Sequence, residues 1–164
     1  MTSPRPFKVQ PIDCSIAAAL DVVGERWSLL IVRAAFNKLR HFEEFQAALG
    51  IARNILADRL SRLVDHGILE RVPDPVDRRR VVYTLTDKGK GLSPLIITLM
   101  QWGDRWGAAT GGSKVLVDKR SRLPMAPMTV RGDDGRELAL EDLEWVERDN
   151  LETDQTEKRA QVGS

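Results

Sequence analysis

The 164-residue sequence predicts a mainly α domain with one small β element, an α+β class. Three observations predict it. Apolar residues recur at three- and four-residue spacing from residue 15 to residue 66 and again from 86 to about 108. Two short β-favouring runs, Ile68 to Val72 and Val81 to Leu85, flank a Pro- and Asp-rich connection between those helical stretches. Beyond Gly111-Gly112-Ser113 the helical period gives way to short apolar runs and then to charge.

The elements follow in order. Residues 1–13 hold Pro4, Pro6 and Pro11 without a period and read as an N-terminal arm. Ile16, Ala19, Leu20 and Val23 form the stripe of a first helix that Gly24 ends. Trp27, Leu30, Ile31 and Ala34 form a second stripe, with Leu29, Val32 and Phe36 beside it. That breadth predicts a helix buried on most sides, broken at Asn37-Lys38. A third helix is predicted from about His41 to Leu49, with Phe42, Phe45 and Leu49 inward and Gly50 supplying the positive φ that ends it. A fourth runs from about Ala52 to His66 and stops at Gly67. After the two strands, Thr86 caps a long helix reaching about Ala108, which Pro94 kinks or divides because proline lacks an N–H. Past the glycines, Val115 to Val117 reads as a strand. Met128 to Val130 and Glu137 to Ala139 pair across Asp133-Asp134-Gly135, and Leu140 to Val146 forms a helical turn or a strand. Four segments result: an arm at 1–13, the main domain at 14–110, a small β-containing extension at 114–149 and an acidic, disordered tail at 150–164.

Composition narrows the function. The apolar fraction of 42% supports a core, and no run approaches the roughly 18 apolar residues of a membrane span. A cytoplasmic protein without membrane partners is expected. A single cysteine, Cys14, leaves no disulfide framework and no multi-thiolate zinc site, and His41 and His66 lack metal-ligand spacing. No phosphate loop, dinucleotide fingerprint or nucleophile elbow is present, so neither an enzyme nor a cofactor is predicted. Charge is uneven. Residues 1–132 carry 21 Lys and Arg against 13 Asp and Glu, and residues 133–164 carry 4 against 11, so +8 and −7 combine to the chain's +1. A basic body suits a polyanion, although charged residues also serve simply as a solvated surface.

Helix, helix, helix, hairpin, helix is the winged helix-turn-helix plan, in which a helix braced by its predecessor enters the major groove. On the fourth helix Leu56, Leu60 and Leu63 share one face, while Asn54, Asp58 and Ser61 lie opposite and Arg62 sits toward that outer side. Arg53 stands at the N-terminal end. Arg53 and Asn54 are the candidates for base reading, since Arg pairs bidentately with guanine and Asn with adenine. Arg59 flanks the core stripe, from where its head could reach a phosphate. Arg and Asn are also common on a merely solvated face. In the wing, Arg78, Arg79 and Arg80 are consecutive and repel one another unless an anion is near; phosphate or the local Asp74 and Asp77 would serve. Arg40 and His41 open the third helix, where free amides favour phosphate, with His41 as plain cap or surface residue the competing reading.

Motifs in this order resemble the HxlR-type regulators, relatives of the MarR group. The matching runs are Cys14 to Ile31, Arg40-His41-Phe42-Glu43-Glu44-Phe45, Gly50-Ile51-Ala52, Leu60-Ser61-Arg62-Leu63 with Gly67-Ile68-Leu69, Arg80 to Thr86 with Gly89, and Trp102-Gly103. The resemblance covers roughly Cys14 to Gly107. It implies a bacterial or archaeal homodimer, a repressor binding near-palindromic double-stranded operator DNA. It also implies a dimer interface on the first and last helices, here Ile16, Leu20, Leu95, Leu99, Trp102 and Trp106. The apolar excess of the last helix independently suggests a partner. Some HxlR-type proteins sense oxidants through a cysteine where Cys14 stands, and a helix N-terminus favours a thiolate; a small inert hydrophobe is the other reading of Cys14. A small-molecule effector in a pocket lined by Trp27, Trp102 and Trp106 is a further expectation. So is a protein-interaction module that uses the winged fold without DNA. The extension of about 50 residues exceeds many relatives, and its role does not follow from the resemblance.

Overall fold

The structure, a computed structural model, describes residues 14–107 and 115–147. The predicted arm, the glycine hinge and the acidic tail lie outside the described residues. The chain divides into two compact units, Met1–Lys114 and Val115–Ser164.

Helix α1 spans Ser15–Val23 and α2 spans Arg26–Phe36. Helix α2 buries Ser28, Ile31, Val32 and Ala34 and half-buries Trp27, Leu29, Leu30 and Phe36, the breadth its sequence predicts. Helix α3, Phe42–Leu49, ends at Gly50 with φ 61° and ψ 27°, the left-handed conformation expected of it. The chain turns through Ile51, itself buried, and α4 runs over Arg53–Asp65. Gly67 (φ 66°) ends α4, as the amide of Ile68 returns to the carbonyl of Leu63 at 2.8 Å. Ile31, Val32, Phe45, Leu56, Leu60, Leu63, Ile68 and Leu69 pack together with 0–2% exposure. Each such side chain contributes about 1.5–3 kcal/mol of burial. Helices α2, α3 and α4 thus share one core with the base of the hairpin.

Strands β1 (Leu69–Pro73) and β2 (Val81–Leu85) pair antiparallel, with Leu69 opposite Leu85 and Pro73 opposite Val81. The first strand starts one residue later than its sequence predicts, and the amide of Thr86 donates to the carbonyl of Ile68 at 3.1 Å across the base of the hairpin. The long helix expected from Thr86 onward is divided: α5 spans Asp87–Lys90 and α6 spans Ser93–Trp106. The division falls before Pro94, which sits in the first turn of α6, where its missing N–H costs nothing. Helix α6 contains no buried residue.

In the second unit, Val117 bridges Pro124 and Arg131 bridges Glu137, both antiparallel. The second bridge lies within the hairpin predicted around Asp133-Asp134-Gly135, with Gly135 at φ 80°. Leu140–Asp142 form one 3-10 turn. Among the described residues no helix is long and apolar enough to cross a membrane.

Candidate nucleic-acid interface

Helix α4 presents two faces. Leu56, Leu60 and Leu63 are buried, whereas Arg53, Asn54, Asp58, Ser61 and Arg62 are exposed. At the N-terminal end, the guanidinium carbon of Arg53 lies 4.8 Å from the centroid of the Phe42 ring. That cation–π contact holds the Arg53 head over Phe42, the first residue of α3, with its edge donors still available. Arg62 borders a shallow open hollow shared with Leu20, Asp21, Gly24 and Glu25, which places it on the α1 side of the helix.

Arg59 is engaged within the fold. Its Nη2 lies 3.1 Å from Glu25 Oε2 and its Nη1 donates to Asp58 Oδ2 at 2.7 Å. Glu25 is the cap residue of α2, so the side chain ties α4 to the start of α2. Both acidic partners consume the donors that a phosphate would need. The neighbouring acid Asp58 is taken up in the same contact.

The wing tip is ordered by its own acids. Asp74, 8% exposed, accepts the amides of Val76 (2.7 Å) and Asp77 (3.2 Å) through Oδ1. Asp77 accepts the amide of Arg79 at 3.0 Å. These two carboxylates therefore build the turn instead of neutralising the arginines. Arg78 and Arg79 make no ion pair among the described residues, and Arg80 has only Glu43 at 3.7 Å. Three guanidiniums are thereby presented from an exposed, fixed loop.

The wing is bound to the helical body at two points. The amide of Tyr83 donates to the carbonyl of Arg40 at 2.8 Å, and the Tyr83 ring stands edge-on to Phe45 at 6.4 Å. His41 Nε2 lies 2.6 Å from Asp74 Oδ2. Hydrogen bonding to Asp74 raises the pKa of His41 above its ordinary value, against burial and the charge of Arg80. The same bond, followed by the Val76 and Asp77 amides, lowers Asp74 to about 2. The amides of Arg40 and His41 both donate to Glu44 Oε2, at 2.7 and 2.9 Å. Those amides, first of all Arg40's, hold the Glu44 carboxyl below its usual range. They are consequently not open to a phosphate. The His41–Asp74 and Arg59–Glu25 contacts escape sequence reasoning, since each joins residues more than thirty positions apart.

The residues expected to meet a partner form a separate, apolar surface. Ile16 and Leu20 on α1 are 61% and 57% exposed, and Leu95, Leu99, Trp102 and Trp106 on α6 are 46–64% exposed. Their spacing puts each set on one helical face. Cys14 is half-buried at the start of α1. Trp27 packs on the core under Arg26, whose guanidinium lies 5.1 Å from its ring, away from the exposed state of Trp102 and Trp106.

Known proteins share this architecture. The chain is 47% identical over 92 residues to the uncharacterized HTH-type transcriptional regulator Mb3122 of Mycobacterium bovis, a match covering 56% of this chain and 58% of that protein. It thus spans little more than half the length of that relative. Over 89–90 residues it is 36% identical to the HTH-type regulator YvaP and 31% identical to YodB, both of Bacillus subtilis, covering 54% of this chain and 82% and 80% of theirs. Among solved structures, PA1607, assigned as a candidate transcription factor, superposes with a TM-score of 0.77 at 45% identity. That likeness covers 83% of this chain and 95% of PA1607. The reduced form of YodB superposes with a TM-score of 0.50 at 29% identity, covering 60% and 98%. Residues 1–114 amount to less than 83% of 164, so the likeness to PA1607 reaches into the second unit. The HxlR-like helix-turn-helix family model matches residues 22–110, which with the winged architecture above shows that this chain belongs to the HxlR-like helix-turn-helix family.

Proposed function

We propose that the chain is a DNA-binding transcription regulator that works as a homodimer on near-palindromic operator DNA. Helix α4 enters the major groove with Arg53 and Asn54 toward the base edges and Ser61 farther along the same face. Arg78, Arg79 and Arg80 of the wing meet backbone phosphates. Arg59, held by Asp58, braces the helix against Glu25, and Arg40 and His41 fix the wing. The observation that carries this reading is the exposed polar face of α4 beside three wing arginines whose local acids are spent on backbone amides. Family membership supports it. A second copy covers the apolar faces of α1 and α6, which one chain leaves in solvent. Two heads on one operator exclude other proteins from that DNA, so the simplest outcome is repression. The protein works where the genome is, in the cytoplasm.

The test is equilibrium binding to fragments selected from genomic DNA. A twofold-related site and a steep loss of affinity with salt are expected. Arg53→Ala should cost about 1–3 kcal/mol on the selected site and relax its sequence preference. Arg79→Ala should weaken selected and random duplexes alike, lowering the salt slope by about 0.9. Indifference of the wild-type protein to every duplex at low salt would overturn the reading.

A thiol switch is a second reading, compatible with the first. Cys14 begins the helix whose Ile16 and Leu20 face the proposed partner, so modification there alters the dimer. That a relative's structure is specified as the reduced form of YodB supports it. Cys14→Ser protein should keep DNA binding and lose any response to oxidant.

A further inference from the structure

The basic residues of the second unit exist in two conditions. Arg131 donates to the carbonyl of Gly135 at 2.9 Å and faces Glu137 at 3.9 Å. Arg136 lies 3.9 Å from Asp134 and 3.6 Å from Asp142. These arginines hold their own hairpin together. Lys119, Arg120 and Arg122 are in the opposite condition: all three are exposed, and none makes an ion pair among the described residues.

The turn that carries them is closed from within. Val117 bridges Pro124, the amide of Asp118 donates to Leu123 O at 3.0 Å, and the amide of Arg122 donates to Asp118 O at 2.8 Å. The one acid of the turn, Asp118, accepts the Arg120 amide (2.9 Å) and both the amide and hydroxyl of Ser121 (3.3 and 3.0 Å). Its carboxylate is engaged by the turn's own donors and makes no ion pair with the three cations. Arg122 adopts φ 60°, a backbone state that side-chain-bearing residues other than Asn and Asp rarely take. The construction matches that of the wing: an aspartate fixes a turn through backbone amides and three cations remain outside. Two guanidiniums and an ammonium within four residues repel one another unless they share an anion, and guanidinium forks fit phosphate bidentately. Duplex DNA presents a negative charge about every 1.7 Å of its axis. In the same unit Glu137, Asp134 and Asp142 are committed to Arg131 and Arg136.

We propose that the Asp118–Leu123 turn is a second site for the phosphate backbone of duplex DNA, independent of base sequence and additional to the wing. The inference rests on the DNA-binding reading above. It is tested with the full chain carrying Lys119→Gln, Arg120→Gln and Arg122→Gln together, by measuring dissociation constants across a salt series on a selected and a scrambled duplex. The slope of log affinity against log salt should fall by about 2–3 relative to wild type, at about 0.9 per phosphate contact. Both duplexes should lose affinity by the same factor, leaving discrimination between them intact. Arg131→Gln, the paired arginine, should leave the slope unchanged. If the triple variant melts early, Arg120→Gln alone should lower the slope by about 0.9. An unchanged slope in a wild-type protein that binds DNA overturns this site and spares the wing. Tighter DNA binding by the triple variant also overturns it, since the turn would then be holding the acidic tail. A wild-type protein without duplex affinity removes both readings.

Discussion

His41 and Asp74 are 33 positions apart in the chain and 2.6 Å apart in space, and their contact makes the head pH-dependent. Asp74 raises the pKa of His41 above 6.5. A raised imidazole contributes stability fully below its unfolded value and loses it as pH rises through its folded value. Asp74, lowered from 3.8 to about 2, contributes above its unfolded value and loses its contribution as pH falls through about 2. The pair is therefore strongest between 3.8 and 6.5. The melting-temperature difference between wild type and His41→Ala should be largest near pH 5.5 and shrink toward pH 9. A difference that stays constant over that range would refute the linkage. Sequence reasoning reached part of this. Asp74-Pro75-Val76-Asp77 reads as a turn because Asp side chains capture amides two residues on. That a histidine from another element completes the first carboxylate is set by tertiary packing and has no local signal. Arg59 repeats the lesson: its place on the flank of the core stripe is legible from the period, and its partner Glu25 is not.

Helix α5 shows how closely an element is fitted to its neighbour. Thr86 caps it as its sequence predicts, accepting the Gly89 amide at 3.1 Å while donating to the Gly67 carbonyl at 2.6 Å. Within it, Gly89 packs directly on the hairpin base. A Cβ on Gly89 would lie 2.2 Å from the Ile68 carbonyl oxygen and 2.9 Å from Leu85 Cδ2. The first of these is backbone and cannot swing away. Gly89→Ala should therefore destabilise the fold by about 1–3 kcal/mol, read as a lower denaturant midpoint at unchanged m-value. Recovery of the wild-type midpoint would mean that α5 can lift from the hairpin without penalty. Pro94 announces a division of the long helix in the sequence; the close approach of Gly89 to the hairpin base has no local signal. The strands, the four helices before them and the reversals at Gly50 and Gly67 were legible throughout, because each rests on local period or positive φ.

For the whole molecule, the exposed faces of α1 and α6 are where the proposed second copy would sit. Leu95, Leu99, Trp102 and Trp106 leave about half or more of their surface in solvent, and Ile16 and Leu20 do the same on α1. Leu99→Asp should halve the sedimenting mass and lower operator affinity by about 10²–10⁴-fold, the avidity gained by joining two heads. A variant that stays dimeric would move the interface elsewhere. The double tether of the wing then acquires a consequence for control. With Tyr83 bonded to Arg40 and Asp74 to His41, the wing is fastened to the start of α3. Of the two tethers the backbone one is indifferent to pH, whereas the imidazole one slackens as His41 loses its proton. In the proposed dimer the further freedom lies in how far apart the two copies hold their α4 helices. On the proposed reading, a signal that silences DNA binding would act by altering the separation of the two copies, leaving each copy's contacts to base and phosphate as they are.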